Sequence, residues 1–210
     1  MQNIQKKVFK DELKYDNQVI LKYTIEYPQI NENKCITGAL NFNSFNYEKA
    51  CKLQEFARTK LFNDAKEVYE YNKQNGYPIM VFEVYMTYEI TYNSNNIVSL
   101  YVDEYIFSGG AHGNTIRTSQ NWDFRIGKQI PLKCFFKNNP NYVQNILTQI
   151  NNKITEDIQN GNDIYFGDYC CLTVNAFKVE NYYLQNGYIV IYFQQYDIAP
   201  YSSGILTFNI

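Results

Sequence analysis

The apolar period of this chain changes twice between residues 18 and 92, and those changes restrict its fold more than any single residue does. In "QVILKYTIEYP", Val19, Leu21, Tyr23, Ile25 and Tyr27 alternate with Ile20, Lys22, Thr24 and Glu26. Period two puts alternate side chains on opposite faces of an extended strand. From about Phe45 to Asn75 the spacing becomes three and four, through Ala50, Leu53, Ala57, Leu61, Ala65 and Val68, with Phe56, Phe62 and Tyr69 widening the stripe. That spacing predicts one long amphipathic helix, with Asn43, Ser44 or Asn46 as its N-cap and Asn75-Gly76 as its stop. Period two then returns over residues 79 to 92, with Met80, Phe82, Val84, Met86, Tyr88, Ile90 and Tyr92 on one face.

The remaining segments fill in the same scheme. Pro28 is expected to close the first strand, and "NENKCITGA" reads as loop with a short extended piece around Ile36. "NSNN" turns the chain into a partner strand, "IVSLYVDEYIF", and strand material resumes after residue 114 until it breaks near Gly127. A second helix is expected from Asn139-Pro140, with Val143, Ile146, Leu147, Ile150, Ile154 and Ile158 on its apolar side and Asn160-Gly161 at its end. "NDIYFGDYCCLTVNA" reads as irregular. Two strands about Asn186-Gly187 then suit a type I′ hairpin, and "ILTFNI" supplies the last strand. The expected class is α+β, with mainly antiparallel sheets and two long helices packed on the sheet.

Charge removes several functional classes. The formal net charge is −2 and no long Lys/Arg run occurs, so the electrostatic footprint of a nucleic-acid binder is missing. No stretch reaches the roughly 18 to 20 apolar residues of a bilayer-crossing helix, and the first twenty residues lack a continuous apolar h-region. The expectation is that this chain neither inserts into a membrane nor carries a secretory signal. Five cysteines (Cys35, Cys51, Cys134, Cys170, Cys171) form no CxxC and have no histidine cluster to complete a zinc set. They read as reduced thiols, with one long-range disulfide as the alternative. The high aromatic content, 21 Tyr and 14 Phe, fits half-exposed sheet faces, where a Tyr ring packs and its hydroxyl stays wet.

Three of the ten glycines and the only histidine fall within "SGGAHGNT". Ser108, Gly109, Gly110, Ala111, His112 and Gly113 are therefore candidates for either a tight connection or a ligand-binding edge. A catalytic histidine would need an orienting carboxylate or a nucleophile, for which Asp103, Glu104, Ser108 and Asp123 are the nearest in sequence. Glu83 and Glu89 lie about 20 Å apart on one strand, beyond the separation of a glycosidase carboxylate pair. The C-terminal hairpin is crowded with tyrosines, of which Tyr196 and Tyr201 join the candidate binding residues. No phosphate loop, dinucleotide fingerprint or nucleophile elbow occurs, and no cofactor or metal is expected.

"GGAHG" at 109 to 113, "NWDFRIGKQIPLKCFF" at 121 to 136 and "QQYDIAPYSSGILTFNI" at 194 to 210 resemble successive motifs of the C-terminal domain of lysozyme-sensing anti-sigma factors of the RsiV type. "YTIEYPQI" at 23 to 30, followed by a long helix, resembles the companion domain found there and ahead of some peptidoglycan deacetylase domains. The resemblance implies an N-terminal α+β lobe over 1–107 and a C-terminal lobe over 108–210, forming one compact unit. It also implies an extracytoplasmic binding or sensing module of bacterial type, without catalysis, whose partners are lysozyme or peptidoglycan fragments. The alternatives are a cell-wall hydrolase-like enzyme built on the His112 loop and a structural or regulatory protein. With no signal peptide or membrane helix in the chain, a cytoplasmic location stays open.

Overall fold

The structure is a computed structural model that describes residues 1–31 and 37–210. The extended piece expected around Ile36, and Cys35, lie outside the described residues. The fold is α+β. A six-stranded sheet has the order β1 (Ile4–Tyr15), β2 (Gln18–Ile30), β3 (Phe82–Ser94), β4 (Ile97–Phe107), β5 (Asn114–Asp123) and β6 (Lys128–Gln129). A three-stranded antiparallel sheet has the order β7 (Tyr182–Gln185), β8 (Tyr188–Phe193) and β9 (Leu206–Asn209). The chain divides into two compact units that are not contiguous in sequence. One comprises residues 1–89, 102–116 and 124–128, and the other residues 90–101, 117–123 and 129–210.

In the first unit, β1 and β2 form an antiparallel hairpin, while β2 and β3 run parallel from the Leu21–Phe82 pair to the Ile25–Met86 pair. A parallel pair needs a crossover, which is supplied by the helix read from the second period. That helix starts earlier than expected. Thr37–Phe56 (α1) is continuous through the supposed caps, then a π turn at Ala57–Leu61 leads into Phe62–Asn75 (α2), which Gly76 ends at φ 70. Asn43 is therefore no cap. Its side chain accepts from the Ile30 N–H and donates to the Ile30 carbonyl, satisfying the end of β2. The stripe faces the sheet as expected: Ala50, Leu53, Ala57, Leu61, Ala65 and Tyr69 are buried, with Leu21, Ile25, Val84 and Met86 among the buried strand residues. Each large aliphatic side chain buried in this way contributes about 1.5–3 kcal/mol.

Two further expectations are corrected in the strands, and one strand lies where none was read. The N-terminal residues form β1, a strand whose period-two signal is diluted because only Phe9, Asp11, Leu13 and Tyr15 of its second half are partly shielded. Pro28 does not close β2. Pairing with β3 stops at Ile25, so only β1 runs alongside at Pro28, an edge-like position where a missing N–H is tolerated. The I′ geometry belongs to other turns than the one expected. It needs positive φ at both central residues, which Asp16-Asn17 (49° and 61°) and Asn95-Asn96 (52° and 60°) have, whereas at Asn186-Gly187 only Gly187 is positive.

In the second unit, the helix Tyr142–Gln159 (α3) begins after Asn141, two residues past the proline expected to start it. Its buried stripe, Ile146, Ile150 and Ile154, shares one core with Leu184, Ile191, Phe193, Ile198 and Phe208. The segment read as irregular contains a short helix, Tyr169–Ala176 (α4), with buried Thr173 donating to Asn151 of α3. The outer edge of β7 has no neighbouring strand, yet its backbone is not left bare. Ser99 Oγ accepts from the Leu184 N–H, Asn121 Nδ2 donates to the Tyr182 carbonyl, and Ser99 donates to Asn121 Oδ1 at 2.7 Å. This accounts for two fully buried polar side chains whose burial without partners would be costly.

Candidate functional site

The glycine-rich connection between β4 and β5 is explained by backbone geometry. Gly109 and Gly110 sit at φ 100 and 90, a region that favours glycine. Gly113 has a different reason: a Cβ there would lie 2.4 Å from Cζ of Tyr105, whose ring covers it. His112 is exposed, and its Nδ1–H donates to the Gly113 carbonyl oxygen at 2.9 Å, a pairing that selects the tautomer. Of the carboxylates nearest to it in sequence, Glu104 is bound by Lys49, and Asp123 belongs to the other compact unit. Ser108 and Ala111 are exposed at the same connection.

The motif around Tyr196 is likewise largely structural. The Gln194 side chain accepts from the Arg117 N–H at 2.9 Å and donates to the Arg117 carbonyl at 2.7 Å, so it completes β5 as a strand neighbour would. Asp197 accepts from the Gln194 N–H, and burial raises its carboxyl above the usual range. Ile198 and Ala199 enter the core. What remains outward is an aromatic pair: Tyr196, at φ 67 and 56% exposed, lies 5.7 Å from Tyr201, ring to ring. The sequence candidates thus separate into a loop in the first unit and a tyrosine pair in the second.

A larger concavity in the first unit lies on the strand that leads into the loop. α1 presents Phe45, Lys49, Leu53 and Phe56, spaced four, four and three residues apart, opposite Glu104 and Ile106 of β4. Residues two apart on a strand share a face, so Glu104 and Ile106 both point to the helix. The groove encloses about 530 Å³. Lys49 Nζ and Glu104 Oε1 are 2.6 Å apart, with roughly a quarter of each side chain exposed. Glu48 and Lys52 flank the pair, so the two positive and two negative charges balance. An uncharged, hydroxyl-rich ligand suits such a surface: ring faces meet its C–H faces and the ion pair meets its hydroxyls. This site was missed in the sequence because Lys49 and Glu104 are 55 positions apart in a helix and a strand, and only the crossover joins them. Among the described residues no group of three His, Cys, Asp or Glu side chains is placed to hold a metal ion.

Comparison with known proteins divides the chain at a similar place. Residues 13–115, which include the groove and the glycine loop, match the family model described as deacetylase PdaC. Residues 133–210, which include Tyr196 and Tyr201, match DUF3298, a protein family of unknown function. The chain is thus similar to a PdaC domain over its first half and to a DUF3298 domain over its last third. It is 25% identical over 174 residues to the peptidoglycan-N-acetylmuramic acid deacetylase PdaC of Bacillus subtilis strain 168, covering 81% of this chain and 36% of that protein. It thus spans about a third of that relative's length. Two crystal structures share the fold along the whole chain and 90% of their own lengths. A DUF3298 family member from Bacteroides fragilis NCTC 9343 has a TM-score of 0.74 at 15% identity, and a DUF3298 protein from Pseudomonas aeruginosa PAO1 has 0.66 at 14%.

Proposed function

We propose that this chain is a non-catalytic binding module of the cell envelope, and that the groove between α1 and β4 takes a peptidoglycan glycan strand. The observation that carries the reading is the groove itself: two phenylalanines flanking a charge-balanced Lys49–Glu104 pair, within the domain that matches the PdaC family. The similarity to a peptidoglycan deacetylase supports the choice of glycan, and the motifs resembling RsiV-type domains support lysozyme-like proteins as a further partner. The His112 loop acts as a tight connection at the end of the groove strand rather than as a base.

The test is calorimetric titration of the full chain with chitotetraose and with soluble muropeptides, lysozyme being a separate arm. Saturable heat with both glycans is expected, and Phe45→Ala should weaken it by about three- to tenfold, the value of one aromatic contact. Absence of heat at millimolar glycan, or full affinity in Phe45→Ala, would remove the groove from consideration. Mass spectrometry of peptidoglycan incubated with the chain should show no new product. A released acetyl group or a cleaved glycan would end the non-catalytic reading.

A further inference from the structure

A second concavity, of about 400 Å³, lies wholly within the second unit. Its size is within the range of roughly 300–1,000 Å³ typical of small-ligand sites. Apart from the exposed Gln129, the uncharged polar groups that line it are already committed to the protein. Asn121 is used by Tyr182 and Ser99, Ser119 Oγ donates to the Glu180 carbonyl at 3.0 Å, and the Tyr182 hydroxyl donates to the Ile130 carbonyl. Burial accordingly pushes the Tyr182 hydroxyl pKa upward. What the interior offers a ligand is apolar surface from Ile130, Pro131 and Val179 and the Tyr142 ring.

The rim is different. Lys133 and Glu180 both line the cavity, both are exposed, and neither takes part in an ion pair among the described residues. In the glycan groove the two charges nearest the centre neutralise each other at 2.6 Å. Here one ammonium and one carboxylate stand at the same opening without that mutual partner. A ligand that satisfies both, and fills an apolar interior whose polar groups are spent, has an apolar body, a free carboxylate and a free amino group.

We infer that this cavity binds a short peptide of small apolar residues in its zwitterionic form, with Lys133 receiving the carboxylate and Glu180 the ammonium group. The inference is independent of the glycan groove, since the two sites share no residue.

The test is an NMR titration of the ¹⁵N-labelled full chain with trialanine, compared with N-acetyl-trialanine amide, which has neither charge. Trialanine should give saturable shifts at the Ser119, Lys133, Val179 and Glu180 amides in the millimolar range. The capped peptide should bind about tenfold or more weakly, as expected when charge-assisted hydrogen bonds are lost. Lys133→Glu and Glu180→Lys, both at exposed positions, should each weaken trialanine by a similar factor while leaving the chitotetraose response unchanged. No saturable shift at these amides, equal binding of the two peptides, or unaltered affinity in both variants would overturn the assignment. Loss of the chitotetraose response in the native chain alone would count against the glycan groove and not against this site.

Discussion

An added Cβ at Gly38 would lie 2.6 Å from the carbonyl oxygen of Phe124 and 2.8 Å from its Cα, both main-chain atoms with little freedom to withdraw. Gly38→Ala should therefore destabilise the protein by about 1–3 kcal/mol, the usual effect of overpacking, measured as a lower urea midpoint. Its effect runs against helix propensity, which favours alanine within α1. In the sequence, Gly38 belongs to a stretch that reads as loop, because glycine marks both turns and close approaches and a local pattern cannot separate them. Gly109 and Gly110 show the opposite case, where the need for unusual backbone geometry was legible from their clustering. The side-chain roles of Asn43, Gln194 and Asn121 were not legible at all. Each completes a main-chain edge formed by residues 13, 77 and 61 positions away.

At the scale of elements, the turns carry predictions that follow from φ. Asn96 sits at φ 60, where an asparagine is tolerated and a β-branched residue is not. Asn96→Val should lower the free energy of unfolding by about 1–2 kcal/mol, again read from urea denaturation. The tip of the β1–β2 hairpin is held to α2 by Asp16, which accepts from Lys73 Nζ at 2.5 Å and from the Tyr69 hydroxyl at 3.1 Å. These bonds, with Lys73 first, hold the Asp16 carboxyl below its ordinary value of 3.8. A carboxylate with a lowered folded-state pKa stabilises the fold above its unfolded value, and that stabilisation is lost as pH falls through the lowered one. The same contact raises Lys73 above 10.5, so its share is lost at the alkaline extreme. Both groups are about half exposed, and the effect is small. The urea midpoint of Asp16→Asn should fall slightly below that of the native chain at pH 7 and coincide with it near pH 2.

Long elements with a sustained period were legible: β2, the α1–α2 crossover, β3, β4 and the isoleucine stripe of α3. The start of α1, the π turn and α4 were not, because their hydrophobic pattern is too short or too mixed to choose a period. β1 was lost for a physical reason. As an edge strand with much of its length in solvent, it has no strongly apolar face to announce it.

At the scale of the whole molecule, the fold class and the two hairpins β3–β4 and β7–β8 follow from hydrophobic period and turn residues, whereas both candidate sites depend on residues brought together across the chain. The groove needs residues 45 to 106 and the cavity residues 119 to 182. Four described cysteines are free thiols, with Cys134, Cys170 and Cys171 exposed and Cys51 partly covered. Under native conditions Cys134, Cys170 and Cys171 should react with a disulfide reagent in a fast phase, and Cys51 in a slower one. Peptide mapping of the labelled protein checks the assignment.

The closure of β7 by Ser99 and Asn121 reaches beyond the stability of the second sheet. An uncovered strand edge is a template on which another polypeptide can add, the first step toward fibrous association. With the outward Leu184 N–H and Tyr182 C=O already bonded to two side chains, β7 is a poor template. In the larger sheet the edge strand β1 stays open but carries Lys6, Lys7, Lys10 and Lys14, whose mutual repulsion discourages pairing between copies. Asn121→Ala should therefore lower the unfolding free energy by about 1–3 kcal/mol through the orphaned Tyr182 carbonyl, and also make the protein associate during storage, followed by light scattering. The two buried polar side chains beside β7 are, in this sense, what keeps the molecule from becoming its own partner.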